Sequence, residues 1–385
     1  MIIAFDAKRA FFNHTGLGNY SRYAVSAIAE AYPENEYLLC SARPPRNRPA
    51  ICDLPGVRTV TPDTSTGRLL SGLWRHWGGL APQLRREGAE IYHGLSNELP
   101  LDIHKAGIPS VVTIHDLIFR RIPDNYKPAD RLLYDFKFSR AARAATRVIA
   151  ISERTRADLI ELYGIPESKI DVIYQGCDPI FSRPVTPAML DEVRGRYRLP
   201  ERYIVSVGTL EQRKNQLLAV EALPLLPPDV CLVTVGRERN SYGRMLDSRI
   251  AALGLADRVM RLHGVPTADL PALYAMAQVA AYPSRYEGFG LPLLEAIGSG
   301  TPVIAATGSC LEEAGGPGAF YVSPDSPRQF ADAAQAILSD PARRRQMVAE
   351  GRRWISRFDR RTFAEQVMET YHKAMDQYRH IPGGR

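Results

Sequence analysis

Short runs of almost wholly apolar residues recur along this chain, and most are followed by a stretch whose apolar residues return at helical spacing. In the first half the runs are Ile2–Phe5, Tyr37–Cys40, Glu90–His93, Ser110–His115, Arg147–Ile151 and Lys169–Tyr174. In the second they are Tyr203–Val207, Val230–Gly236, Arg258–His263, Val279–Pro283 and Pro302–Ala305. A strand apolar on both faces must be covered on both, and strands separated by helices run parallel. The alternation predicts an α/β fold. The pattern restarts near residue 200, after the Pro-rich stretch "FSRPVTP" over 181–187, which reads as a hinge. The expectation is two Rossmann-like domains with parallel sheets facing across a cleft, over residues 1–185 and 186–360. Helical residues 361–385 follow and end in a disordered-looking "IPGGR".

With 385 residues, 45% of them hydrophobic, the chain can fill two cores. Its five cysteines are scattered, with no C-x-x-C pair, and no H-E-x-x-H occurs. That excludes a disulfide framework or a zinc site and points to free thiols in a reducing compartment. The start "MIIAFDA" carries no signal peptide and no run of 18 apolar residues exists, so a cytoplasmic location is expected. The formal charge of +7 is mild, and no nucleic-acid partner is expected.

In such sheets ligands bind where strands end and loops enter helices. Four of these loops could carry chemistry. "VGTLEQRKN", Val207 to Asn215, passes Gly208, presents Arg213 and Lys214, and enters a helix with Asn215 as its expected N-cap. Two cations beside a helix N-terminus make an anion site, although a solvated basic turn reads the same way. "SRYEGFGLPLLEAIGSG" follows another strand. Pro292 suits the start of its helix and Gly300 the end, while Gly288 and Gly290 let backbone amides approach a ligand. Glu287 falls at the strand end and Glu295 in the first helical turn. Carboxylates there can accept hydroxyls of a polyhydroxylated ligand, or merely compensate the helix dipole and decorate a loop. "HTGLGNYSRY" gives a G-x-G-x-x-S before a helix, but too far past the first strand for a dinucleotide turn. "VVTIHDLIF" puts His115 and Asp116 at a strand terminus, and "YHGLSNELP" puts Asn97 and Glu98 after a neighbouring strand. Asn97, Glu98 and Asp116 are expected on the acceptor side, and His115 is expected to be either a catalytic group or a structural cap of its strand.

Together these segments resemble the signatures of glycosyltransferase family 4, the retaining GT-B enzymes. "SVGTLEQRKN" and "SRYEGFGLPLLEAIGSGTPVIAA" carry the likeness in the second half. "TGLGNYSRY", "HGLSNELP" and "TIHDLIFRRIPDNY" resemble loops of its bacterial mannosyltransferase-like members. The resemblance implies that Glu287 contacts the transferred sugar, that Glu295 holds the nucleotide ribose, and that Arg213 and Lys214 neutralise the donor diphosphate. It further implies that His115 reaches the sugar and that the Gly16–Gly18 loop lies over the phosphates and acceptor. Gly208, Gly288, Phe289, Gly290 and Leu291 complete the implied donor site, and residues 361–378 match a helix that crosses back to the first domain. The sequence departs from the family at Gln175, where Asn is usual, and at Leu311-Glu312-Glu313, where L-P-E is usual.

The implied reaction moves a hexose from a nucleotide diphosphate sugar to a hydroxyl with retention, in surface polysaccharide biosynthesis. GDP-mannose is the expected donor and a saccharide or lipid-linked saccharide the acceptor. No D-x-D occurs, so Arg213 and Lys214 are expected to replace a divalent metal, and no cofactor is expected. A sugar-nucleotide epimerase would share the fold and donor site, and a non-enzymatic sugar-binding protein or a PLP-dependent phosphorylase fits less well.

Charge clusters in the first half. Residues 43–86 hold eight Arg against Asp53 and Asp63, and residues 120–156 hold ten Lys or Arg against four acids. Within the first cluster lies "GRLLSGLWRHWGGL". Wound as a helix, it puts Leu69, Leu70, Leu73, Trp74, Trp77 and Leu80 on one side, away from Arg68 and Arg75. That face suits an anionic membrane surface, and equally the inside of the N-terminal core with its arginines solvated.

Overall fold

A computed structural model describes the chain except residues 14, 46, 63–73, 76–77, 239–240 and 381–385. The chain divides into two units, Met1–Gln175 with Asp359–Arg385, and Gly176–Phe358.

The first unit is a seven-stranded sheet of β1 (Ile2–Asp6), β2 (Glu36–Cys40), β3 (Val57–Val60), β4 (Ile91–Gly94), β5 (Ser110–Ile114), β6 (Arg147–Ala150) and β7 (Ile170–Val172), in the order β3-β2-β1-β4-β5-β6-β7. The second is a six-stranded sheet of β8 (Arg202–Val207), β9 (Val230–Val235), β10 (Val259–Leu262), β11 (Val279–Tyr282), β12 (Val303–Ala306) and β13 (Ala319–Val322), in the order β10-β9-β8-β11-β12-β13. Every pairing is parallel, as expected of apolar strands joined through helices. In each sheet the strand order reverses once, between β1 and β4 and between β8 and β11. A crevice opens at the carboxyl ends of such a pair, because the connections leave it in opposite directions.

Two strands escape the sequence pattern, and both are sheet edges. β3 reads VRTV, with Arg58 and Thr59 exposed, and β13 reads AFYV, with its two middle residues partly exposed. An edge strand has one neighbour and need not be apolar on both faces.

The domain boundary also differs. The first unit ends at Gln175, not in the Pro-rich stretch, and the chain returns to it at Asp359. Residues 181–187 lie inside the second unit, where Phe181 is buried with its ring 6.2 Å from that of Tyr274. The returning helix Arg360–Arg379 is N-capped by Asp359, whose Oδ1 accepts from the amides of Arg361 (2.9 Å) and Thr362 (3.0 Å). It buries Phe363, Val367, Tyr371 and Ala374 within the first unit. The Tyr371 hydroxyl meets His93 Nδ1 at 2.7 Å, and His93 Nε2 meets Thr113 Oγ1 at 2.8 Å.

Most of the segment considered for membrane contact, residues 67–73, 76 and 77, lies outside the described residues. Trp74 and Leu80 are buried, and Trp74 Nε1 donates to Gln83 Oε1 at 3.1 Å, so these two turn inward. Arg75 corrects the expectation of a solvated arginine. It is buried and ion-paired with Asp6 at the end of β1 and with Glu98 at 3.0 Å. Burial alone would lower its affinity for a proton, but the two carboxylates outweigh that and hold it charged.

His93 gives the first unit an acid limit. Burial lowers its pKa to about 3. An unfolded histidine binds a proton from about pH 6.5 downward, whereas folded His93 does not until far lower. Its contribution is therefore complete above about pH 6.5 and is lost as pH falls from there toward 3, by ~1.4 kcal/mol per pH unit. Urea unfolding followed between pH 7 and 5 should show this slope, and His93→Gln should be less stable at neutral pH with a flatter slope.

Candidate active site

The second unit's switch point is built by two loops. β8 ends at Val207 and Gly208 turns the chain at φ +147, a backbone region that favours glycine. A single 3-10 turn, Gln212–Lys214, then presents Arg213 and Lys214. β11 ends at Tyr282, and Pro283 to Gly290 carry Glu287 beside them. Arg285 N donates to Arg213 O at 2.9 Å and Ser284 Oγ to the same carbonyl at 3.2 Å, so the loops are joined.

Asn215 does not cap the following helix through its side chain. It sits at φ +56, and its Nδ2 donates to the carbonyls of Pro283 (3.2 Å) and Pro324 (2.8 Å). A side-chain amide in the left-handed region thus ties the loops after β8, β11 and β13 together.

Within this frame Arg213 and Lys214 converge on one carboxylate. Arg213 Nη1 lies 2.7 Å from Glu287 Oε2 and Lys214 Nζ 2.6 Å from Glu287 Oε1. Arg213 Nη1 also donates to Tyr286 O at 2.7 Å, and Nη2 pairs with Glu211 Oε1 at 2.7 Å. Lys214 Nζ further donates to the Tyr282 hydroxyl at 2.7 Å, and Ser284 Oγ donates to Glu287. Burial of Glu287 favours its neutral form, yet Lys214 and Arg213 more than offset this and hold its pKa at about 2. Burial likewise lowers the Lys214 pKa, against the pull of Glu287.

Glu295 is a different carboxylate. It is the fifth residue of the helix Leu291–Gly298, one turn deeper than the sequence suggested, so the expected helix-start position is corrected. No acid occupies the first turn, and dipole compensation does not account for Glu295. Its nearest hydrogen-bonding partner is the Tyr274 hydroxyl at 3.4 Å. Burial without a paired cation raises its pKa to about 7.

The glycine loop is held from behind. Gly290 adopts φ +135, where a Cβ would come within 3.0 Å of Leu311 Cδ2. Gly288 and Phe289 are buried, Leu291 is partly buried, and the Phe289 ring meets Phe358 edge-on at 5.4 Å. Cys310 Sγ donates toward the carbonyls of Glu287 (3.1 Å) and Phe289 (2.8 Å). Sequence reading missed Cys310, Glu211, Tyr274, Tyr282 and Ser284. Of these, only Tyr282, an isolated hydroxyl at the end of an apolar run, left a trace in the pattern.

The candidates of the first unit form their own constellation. His115 follows β5. Its Nε2 lies 2.9 Å from Leu95 O, its backbone N donates to Asn97 Oδ1 at 2.7 Å, and the Tyr20 ring stands edge-on at 4.5 Å. A ring nitrogen facing a carbonyl must carry the proton, so Nδ1 is the acceptor of the neutral ring. Burial lowers the pKa to about 4, which makes His115 a neutral hydrogen-bonding group near pH 7. Asn97 holds φ +63 while its amide N donates to Thr113 O at 2.9 Å. Glu98 is engaged by Arg75 and by Lys137 at 3.3 Å, and Asp116 Oδ1 accepts from Ile118 N at 3.1 Å, bracing the turn after β5. Gly16 opens the helix Gly16–Ala31 with open space where a Cβ would stand. At Gly18 a Cβ would lie 1.9 Å from Asn13 O, so this glycine is required by close packing of its own loop.

Comparison with known proteins bears on the family and the fold of the chain. The family described as Glycosyltransferase Family 4 matches residues 16–181, and Glycosyl transferases group 1 matches residues 192–354. The chain is 28% identical to O-antigen chain mannosyltransferase B of Escherichia coli, over 96% of this chain and 99% of that one. It is 30% identical to the MMP alpha-(1->4)-mannosyltransferase of Mycolicibacterium hassiacum, over 71% and 68%. The solved structure of Anabaena Alr3699/HepE in complex with UDP and glucose superposes with a TM-score of 0.74 at 23% identity, covering 96% and 99% of the two chains.

The Cys310 geometry has a direct check. Cys310→Ser keeps a donor to the loop carbonyls and should hold stability to within ~1 kcal/mol. Cys310→Val removes the donor and should cost about 1–3 kcal/mol in urea unfolding.

Proposed function

Since this chain belongs to the glycosyltransferases of family 4 and group 1 and has the two parallel-sheet units of a GT-B enzyme, we propose that it transfers mannose from GDP-mannose, with retention, to a hydroxyl of a saccharide or lipid-linked saccharide. Surface polysaccharide synthesis is the proposed setting. The choice of mannose is supported by the two mannosyltransferase relatives. The observation that carries the donor side is the convergence of Arg213 and Lys214 on one carboxylate at the β8–β11 switch point.

In this reading the leaving diphosphate gains charge as the glycosidic bond breaks, and two fixed cations stabilise that charge without reorganising. Arg213 offers a planar fork to phosphate oxygens and Lys214 a point charge. They take the part a divalent ion plays elsewhere, and the reaction is proposed to need no metal. Glu287 keeps both cations ionised and in place, and offers a carboxylate to hydroxyls of the sugar. His115 is proposed to act as a neutral hydrogen-bonding partner of a substrate hydroxyl. Front-face attack, with the acceptor proton passing to the leaving phosphate oxygen, needs no protein nucleophile and retains configuration.

A thermal-shift panel of nucleotide sugars tests the donor. The true donor at 100 times its Kd should stabilise the protein by ~2.7 kcal/mol, and UDP-sugars should do less. A larger shift with a UDP-sugar would overturn the GDP assignment. Transfer with the best donor should persist in excess EDTA, and Arg213→Ala and Lys214→Ala should each lower turnover by about 10²–10³. Near-normal turnover in both variants would sink the diphosphate assignment.

Glu295 should make nucleotide binding depend on pH. As a carboxylate it accepts two ribose hydroxyls, but its pKa of about 7 means that binding below neutrality must first remove a proton. GDP affinity measured by calorimetry should fall below pH 7 more steeply for the wild type than for Glu295→Gln. Parallel profiles would remove Glu295 from the ribose site.

A further inference from the structure

The helix Pro128–Ala144 of the first unit is apolar on two sides, and only one of them is covered. Phe138, Ala141 and Ala142 are buried. Tyr134 joins them, its ring 5.9 Å from that of Phe119 and stacked at 5.7 Å on Phe138. Around the helix from these lie Leu132, 74% exposed, Leu133, 48% exposed, and Phe136, 56% exposed. Among the described residues only four other large hydrophobic side chains are exposed, Phe12, Ile160, Leu225 and Met245, and they are scattered along the chain. A surface helix normally keeps its second face polar, so three large apolar side chains within five residues call for a partner.

The charges around them say what kind. The stripe begun by Leu132 and Phe136 continues, a turn at a time, into exposed Arg140 and Arg143. Arg140 and Arg143 are steadied by Nη2 bonds to the carbonyls of Leu101 (2.6 Å) and Tyr163 (3.3 Å), and a guanidinium so bound keeps further donors. Of the nearby acids, Asp135 is engaged by Arg120 at 3.3 Å and by the Tyr163 hydroxyl at 3.1 Å, and Asp130 lies on the far side of the helix from Leu132. A second copy of this face would bring its arginines toward their own kind, which opposes a symmetric dimer. An anionic bilayer surface offers both an apolar bed for Leu132, Leu133 and Phe136 and phosphates for the arginines.

We propose that the exposed face of helix Pro128–Ala144 docks the protein on an anionic membrane surface, with Leu132, Leu133 and Phe136 entering the headgroup boundary and Arg140 and Arg143 meeting lipid phosphates. This places the contact away from the tryptophan segment singled out in the sequence, and it does not depend on which sugar is transferred.

Co-sedimentation of the full chain with phosphatidylcholine vesicles, with and without phosphatidylglycerol, tests it. The wild type should pellet with the anionic vesicles and be released by salt. Leu132→Ser with Phe136→Ser should lower the partition roughly tenfold or more. Arg140→Gln and Arg143→Gln should each lower it roughly fivefold and weaken the preference for anionic lipid. Matching thermal melts and unchanged transfer to a soluble acceptor would show that these variants fold. No pelleting of the wild type, or equal pelleting of the wild type and the Leu132/Phe136 variant, overturns the proposal. So does wild-type dimerisation in the ultracentrifuge that the same variant abolishes while vesicles are ignored, because a second copy would then cover the face.

Discussion

The second unit is organised around one buried carboxylate held between two largely buried cations. Removing Glu287, Arg213 and Lys214 from water costs several kcal/mol for each ion, and contacts of 2.6–2.7 Å between them recover that cost only if the geometry is kept. This makes the surrounding fittings intelligible. Asn215 bridges the loops after β8, β11 and β13, Ser284 and Arg285 bond the Arg213 carbonyl, and Cys310 braces the Glu287–Phe289 backbone. Each is a short-range polar contact that fixes where a charge sits. Losing one partner of such a cluster strands the others, at about 3–5 kcal/mol, so the residues proposed for chemistry are also residues on which local structure depends.

Two glutamates eight positions apart in one loop and helix show how far environment can separate identical groups. Glu287 faces two cations and is held at about 2, whereas Glu295 faces a tyrosine hydroxyl and is raised to about 7. Both are removed from water, and that alone would push both upward. The difference lies in which of them the cations of the 3-10 turn at Gln212–Lys214 contact. A carboxylate locked in its charged form is suited to holding cations in place. One poised near neutrality is suited to responding to what arrives.

The sheets were legible in the sequence because most of their strands are covered on both faces and have to be apolar on both, and the edge strands β7 and β10 still keep apolar residues enough to be read. The edges β3 and β13 were not, since a strand with one neighbour tolerates Arg58, Thr59 and Tyr321. The unit boundary was misplaced because proline marks a turn whether or not it joins domains, and Phe181 anchors that turn inside the second core. At the site, loop position and residue type located Arg213, Lys214 and Glu287. Their mutual contacts were out of reach, because they depend on two loops separated by about seventy residues and aligned by adjacent strands. Asn215 was assigned a cap because Asn before a helix usually caps, and tertiary carbonyls outbid the helix for its amide. Arg75 was taken for a surface arginine because nothing local announces the two carboxylates that bury it.

The same physical solution recurs at the other switch point, with a different consequence. At the ends of β1 and β4, Arg75 lies between Asp6 and Glu98, and Lys137 also reaches Glu98. There too, buried charges are matched within the fold before any ligand arrives. Beside them stand His115, neutral near pH 7, and Asn97 in a left-handed turn. In the second unit the matched cations belong to one short turn, and the diphosphate proposed to bind there would need only to share them with Glu287 and Glu211. What such a cluster gives an anion is fixed position rather than net charge, and position already paid for in the ground state is what stabilises charge that develops later. In the first unit the matched charges sit among neutral donors and acceptors such as His115 and Asn97, groups suited to hydroxyls. One fold used twice can thus present two chemically distinct strand ends, set by which side chains its loops deliver.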